Sequence, residues 1–203
     1  LHCFGSISAS ISHELKNALA IINENAGLLE DLSFMAEKGL PLDPTRLKNL
    51  AASISKQIQR ADGIIRNMNR FAHSADEPVK CIDLGETLAL TVALSSRLAA
   101  MKSVTLNFKP PPKPIHVTTR LFYLQNLIWL CLKEIFERAG AEKEITLTLR
   151  SLPEGAAIIF SPIDAPVSDA RTIDLLYYLK AALSADPQYR ELHITLPVDM
   201  NAC

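Results

Sequence analysis

The stretch Gly39-Leu40-Pro41-Leu42-Asp43-Pro44 separates two long helical patterns and decides the first half of the fold. Gly39 suits the left-handed position just after a helix, and Asp43 followed by Pro44 suits the cap and first residue of the next one. We therefore predict one helix over residues 6–38 and a second over residues 44–75. Two long helices joined by a short turn form an antiparallel hairpin.

Apolar residues recur along both helices with the heptad spacing of a helical bundle. With Leu15 at position a, these seam residues are Ile11, Leu15, Ala18, Ile22, Leu29, Leu32 and Ala36 in the first helix, and Leu47, Leu50, Ile54, Ala61, Ile64, Met68 and Phe71 in the second. Further apolar residues flank the seams, namely Leu19, Ala26, Ile58 and Ile65. One hairpin cannot cover all of these side chains, so we predict a homodimer in which two hairpins form a four-helix bundle through residues 6–75.

The pattern changes after Asp76-Glu77-Pro78 to mixed helices and strands, which indicates an α+β domain with helices on one sheet. The predicted helices cover residues 84–102, 119–139 and 172–185, and the predicted strands cover residues 104–108, 115–117, 144–150, 156–161 and 191–197. The sequence thus predicts two domains, a helical hairpin over residues 1–76 and an α/β domain over residues 77–203.

The amino-acid composition narrows the kinds of partner that this chain can have and the cellular compartment in which it works. The chain has 203 residues with 21 basic and 22 acidic side chains, a balance that gives no bulk attraction to nucleic acid or to acidic membranes. Its four cysteines are far apart in sequence and lack zinc-ligand spacing, which favours a reducing compartment such as the cytoplasm. No apolar run is long enough to span a bilayer, so we expect no membrane insertion of this segment.

The outward face of the first helix carries a histidine, an acid and an amide in five residues. His13 falls at heptad position f and Asn17 at position c, one turn apart on the surface, with Glu14 beside them. An exposed imidazole next to a carboxylate is a nucleophile with a neighbouring proton acceptor, and its neutral form exists at pH 7. The alternative is an ordinary solvated helix face, because short motifs of this kind also occur by chance.

The surroundings of the triplet resemble the core of sensor histidine kinases. "SHELKNALAII", residues 12–22, resembles the H-box of that family, with Ala18 in place of the common proline. "IIRNMNRFAH", residues 64–73, resembles the usual end of the second helix, and the later segments follow the order of the ATP-binding domain. The resemblance covers essentially the whole chain and is specific at the H-box.

This resemblance implies roles for the triplet. His13 would accept phosphate, Glu14 would assist as the neighbouring base, and Asn17 would match the amide that supports removal of phosphate from a response regulator. The helix ends around His13 would dock the receiver domain of that regulator.

The second half departs from the family pattern. The Asp-x-Gly-x-Gly loop that binds adenine should follow the strand at 156–161, yet the last glycine of the chain is Gly155. Asp164 is the one residue that could stand for the adenine-binding aspartate, and Glu134 stands where the magnesium-binding asparagine is usual. We therefore expect a degenerate ATPase-like domain with no cofactor and no metal. Trp129 and the pair Tyr177-Tyr178 are expected to be core residues.

Three functions remain open on the sequence. The first is a histidine phosphotransferase, or its close variant a response-regulator phosphatase, that works without ATP. The second is a non-catalytic dimeric adaptor or pseudokinase that docks a response regulator. The third is a true kinase with an aberrant pocket, which the lost glycine loops disfavour.

Overall fold

The computed structural model describes residues 2–138, 143–163 and 169–200. These residues form two compact units, one comprising residues 5–69 and the other made mainly of the chain from Arg70 onward. The elements in chain order are α1 (His2–Glu37), α2 (Pro44–Ala72), a 3-10 turn (His73–Ala75), β1 (Lys80–Asp83), α3 (Leu84–Met101), β2 (Thr105–Lys109), β3 (His116–Thr119), α4 (Leu121–Arg138), β4 (Glu144–Leu152), β5 (Gly155–Ser161), α5 (Arg171–Leu179), β6 (Ala182–Asp186) and β7 (Glu191–Pro197).

The first unit is the predicted helical hairpin, and its turn has the predicted chemistry. Gly39 has φ of 82°, the left-handed conformation that glycine adopts without steric cost. The Asp43 side chain accepts a hydrogen bond from the backbone N–H of Thr45 at 2.8 Å, which caps the start of α2. The hairpin is therefore set by the sequence of its own connection.

A polar contact within the seam fixes how the two helices align. Asn25 donates from Nδ2 to the carbonyl oxygen of Ile21 at 2.6 Å and to Oγ of Ser53 on α2 at 3.2 Å. A sliding of one helix past the other by a turn would leave this half-buried amide without its partner. Asn25, a polar residue in a mostly apolar seam, thus favours one register of the hairpin.

The second unit places helices against a five-stranded sheet with strand order β2-β4-β5-β7-β6. Strands β2 and β4 are parallel, the other neighbours are antiparallel, and β1 and β3 form a separate antiparallel pair. Strand β7 alternates buried and half-buried residues, with Leu192, Ile194 and Leu196 all buried in the core. The core also contains Leu88 of α3 and a row of residues on α4, which joins these helices to the sheet.

The predicted helix over residues 172–185 is wrong in its second half. Helix α5 ends at Leu179 because Lys180 adopts the left-handed conformation, with φ of 50°, and its N–H bonds back into the last turn. Residues 182–186 then pair with β7 as the strand β6. The Ala-rich sequence of this segment favours a helix locally, and pairing with a neighbouring strand overrides that preference.

The expectation that the aromatic residues are core is confirmed for one site and wrong for the other. Trp129 on α4 is buried. Tyr177 and Tyr178 on α5 are 81% and 45% exposed, so neither is a core residue.

Candidate functional site

The first helix displays His13 and Asn17 together on its solvent side. Both residues are exposed, and they stand four residues apart on α1, so their side chains share one face. His13 forms no hydrogen bond with any residue in the described part of the chain. An incoming group can therefore reach the imidazole without displacing a protein partner.

Glu14, the third residue of the predicted site, is turned toward the second helix. Its Oε2 atom lies 3.5 Å from Nη2 of Arg60 on α2, and its side chain is only 18% exposed. An ion pair at this distance near the surface contributes little stability, but it places a cation beside the carboxylate of the residue that follows His13. The structure thus brings His13 and Asn17 together on one face and couples Glu14 to Arg60.

Arg60 is a neighbour of the candidate site that the heptad pattern does not predict. Glu14 and Arg60 are 46 residues apart in the sequence, so their contact depends on how the two helices pack. Single-helix heptad patterns carry no such information, because they place residues on faces and not opposite one another.

This surface has the groups needed for phosphoryl transfer. A neutral imidazole is a nucleophile at pH 7, a carboxylate next to it can hold the proton that the ring loses, and a guanidinium is a suitable partner for phosphate oxygens. The amide of Asn17 can orient a water or a phosphoryl group by hydrogen bonding.

Glu134, which stands where the magnesium-binding asparagine of the resembling family is usual, lies on α4. Glu134 on α4 pairs with Arg138 one turn later at 3.4 Å, and its side chain is 12% exposed. At the start of α5, Asp169 accepts hydrogen bonds from Nε of Arg171 at 2.9 and 3.0 Å, and these bonds lower the pKa of Asp169 to about 2. Asp164 lies outside the described residues.

A buried thiol lies on the same helix, one turn before Glu134. Burial, followed by the nearby negative charge of Glu134, raises the pKa of Cys131 to about 12.

The hairpin leaves a set of apolar side chains uncovered. Leu19 on α1 is 59% exposed, and Ile58 and Ile65 on α2 are 54% and 45% exposed. Leu19 and Ile58 both lie between the two contacts that join the helices, Glu14–Arg60 and Asn25–Ser53. Ile58 and Ile65 are one heptad apart and so share a face of α2.

Residues 5–77 match the family model of the His Kinase A (phospho-acceptor) domain. The match contains the whole triplet of His13, Glu14 and Asn17 as well as Arg60. No curated protein matches the chain. No helix in the described ranges is both long and apolar enough to cross a membrane.

Two solved structures have a similar fold. The histidine kinase ThkA, solved in complex with the response regulator protein TrrA, is 15% identical with a TM-score of 0.51, and the match covers 100% of this chain and 64% of that one. The nucleotide-free catalytic domain of ThkA is 9% identical with a TM-score of 0.51, covering 61% of this chain and 97% of that domain. At such identities the likeness concerns the fold.

The fold prediction, a helical hairpin followed by a domain of the histidine kinase ATPase type, is thereby confirmed. Residues 5–77 thus match the model of a His Kinase A phospho-acceptor domain, and the chain as a whole has a fold similar to that of the histidine kinase ThkA.

Proposed function

We propose that this chain is a cytoplasmic two-component signalling protein that transfers phosphate through His13 between receiver domains without using ATP. The observation that carries the proposal is the exposed pair His13 and Asn17 inside the matched phospho-acceptor domain. In this proposal residues 1–76 perform the transfer and dimerise, and residues 77–203 form a degenerate ATPase-like domain. The expected partners are receiver domains and a second copy of the chain, and nucleic acid is not among them.

The proposed step exchanges one bond to phosphorus for another. The neutral imidazole of His13 attacks the phosphoryl group on a receiver aspartate, the acyl P–O bond breaks, and a P–N bond to His13 forms. The aspartate leaves as a carboxylate, and the proton lost by the ring passes to Glu14 or to water. Transfer to a second receiver reverses this step, so the protein has to position the groups and supplies little covalent chemistry.

Two further observations support this assignment. Arg60 lies beside Glu14, where its guanidinium can contact the oxygens of a transferred phosphoryl group. The histidine kinase ThkA forms a complex with a response regulator, which makes a receiver domain the natural partner to test.

Residues 77–203 depart from the pattern of the ATP-binding domain, and these departures support the proposal that the chain works without ATP. The chain has no glycine after Gly155, and Glu134 is a carboxylate already paired with Arg138. A loop that approaches nucleotide phosphates closely needs glycine, because a side chain would block the backbone.

The test compares the two phosphate donors. Incubation with receiver domains phosphorylated on aspartate should place acid-labile label on the chain, whereas incubation with γ-labelled ATP and Mg²⁺ should place none there. Autoradiography after acid and alkali treatment distinguishes phosphohistidine from phosphoserine. Label from ATP alone would show a true kinase, and label from neither donor would favour the non-catalytic adaptor.

Substituting Asn17 with alanine should separate phosphate acceptance from phosphate removal. The change deletes a positioning amide and leaves the nucleophile, so label should still reach His13 while the release of inorganic phosphate slows by about tenfold. The exposed neighbour Lys16→Ala serves as the control and should leave both rates unchanged. Equal rates of inorganic phosphate release with wild type and Asn17→Ala would show that the Asn17 amide has no role in phosphate removal.

A further inference from the structure

A cleft in the second unit is built from aromatic and cationic side chains. It encloses about 510 Å³ and is lined by Arg120 at the start of α4, by Tyr177 and Tyr178 near the end of α5, and by Lys180, with Leu176 and Met200 among its apolar lining residues. Its volume lies within the range of small-molecule sites. None of the described residues that line it is acidic.

The aromatic part of the cleft is held in place. Tyr178 stacks on Tyr123 of α4 with ring centroids 5.3 Å apart and an angle of 22° between the planes, and Tyr177 meets Tyr178 edge to face at 5.9 Å. The Arg120 guanidinium lies 6.0 Å from the ring of Tyr123 and 5.9 Å from that of Tyr178. These contacts orient two rings and one cation before anything binds.

The remaining groups are available to a ligand. Tyr177 is 81% exposed, and Lys180 is exposed at the end of α5 in its left-handed conformation. Within the described ranges, neither Arg120 nor Lys180 forms an ion pair. Two cations beside exposed ring faces recognise a molecule that has both a planar ring and a negative charge.

The cleft is separate from the position of Glu134. Tyr123 and Glu134 are eleven residues apart on α4, which corresponds to about 16 Å along the helix axis. The cleft therefore lies apart from Glu134.

We propose that this cleft binds a small ligand in which an aromatic ring carries a phosphate or carboxylate group. The ring stacks on the tyrosines, and the anionic group meets Arg120 and Lys180. The inference rests on the second unit alone and is independent of the proposed function of His13.

Isothermal titration calorimetry of the full chain tests this proposal with two probes. Adenosine 5′-monophosphate is an aromatic ring that carries a phosphate, and 4-hydroxybenzoate is an aromatic ring that carries a carboxylate. At least one probe should bind with a dissociation constant between about 10 μM and 1 mM. Adenosine lacks the charge and inorganic phosphate lacks the ring, so each should bind at least about tenfold more weakly than the monophosphate if the latter binds.

Two variants locate the binding. Tyr177→Ala and Arg120→Gln should each weaken the binding of the probe by about tenfold, since each removes one of the two recognition groups. Tyr189→Ala is the matched control, because Tyr189 is 65% exposed and lies outside the cleft. Circular dichroism of the variants should match that of the wild type.

The remaining outcomes would overturn the proposal. Binding of neither probe by the folded wild-type chain excludes the ligand class. Equal affinities for adenosine and its monophosphate, if that is the probe that binds, show that the anionic group is not recognised. Binding that survives both cleft variants but not Tyr189→Ala places the ligand elsewhere.

Discussion

Replacing His13 with glutamine should abolish the acid-labile label that the chain acquires from a phosphorylated receiver domain, a loss of at least about 100-fold. The reason is chemical, because the carboxamide of glutamine is not a nucleophile at neutral pH. Autoradiography of the chain after a timed incubation, followed by measurement of the receiver's remaining phosphate, checks both sides of the transfer.

The structure predicts that this variant remains folded. His13 is exposed on α1 and makes no hydrogen bond to a residue in the described ranges, and glutamine is a good helix former. Surface substitutions of this kind change the free energy of unfolding by about 0.5 kcal/mol or less. Loss of label therefore reports the chemistry of the residue and not the loss of the helix.

A second histidine gives a matched control. His73 is also exposed, and its Nδ1 atom lies 2.7 Å from Oδ2 of Asp76. His73→Gln makes the same change of side chain and should leave the label unchanged. Label that persists in His13→Gln and disappears in His73→Gln would show that His73, and not His13, accepts the phosphate.

Placing acids on the uncovered apolar surface should convert a dimer into a monomer. The double variant Leu19→Glu and Ile58→Glu puts two carboxylates in each copy where the four-helix bundle would bury leucine and isoleucine. Burial of such side chains contributes about 1.5–3 kcal/mol each, and a two-fold interface contains every substitution twice. We expect dimerisation to weaken by at least about 100-fold.

The design separates assembly from folding. Both side chains are more than half exposed in the single hairpin, at 59% and 54%, so the acids meet water and not the seam of the monomer. Light scattering should give twice the 22.3 kDa chain mass for the wild type and a single chain mass for the variant. Met101→Glu, at a residue that is 71% exposed on α3, is the control and should remain dimeric.

Two results would contradict the dimer. A wild-type chain that is monomeric and folded at micromolar concentration would show that the exposed side chains have no partner copy. A double variant that keeps the dimer mass would show that the copies associate through another surface.

The sequence by itself determined the hairpin and the placement of its main chemical groups. Gly39, Asp43 and Pro44 act through their own backbone preferences, which need no distant partner, and the structure shows the turn and cap that they predict. The heptad pattern also placed His13 and Asn17 on the outward face, because helical periodicity is a local property.

Only the tertiary structure decided the features that depend on residues distant in sequence. Glu14 contacts Arg60 because two helices pack antiparallel, and residues 182–186 form a strand because β7 offers them a partner. Tyr177 and Tyr178 are exposed because the other face of α5 is the one that enters the core. Each of these depends on which surfaces meet, and a linear pattern of residues does not contain that information.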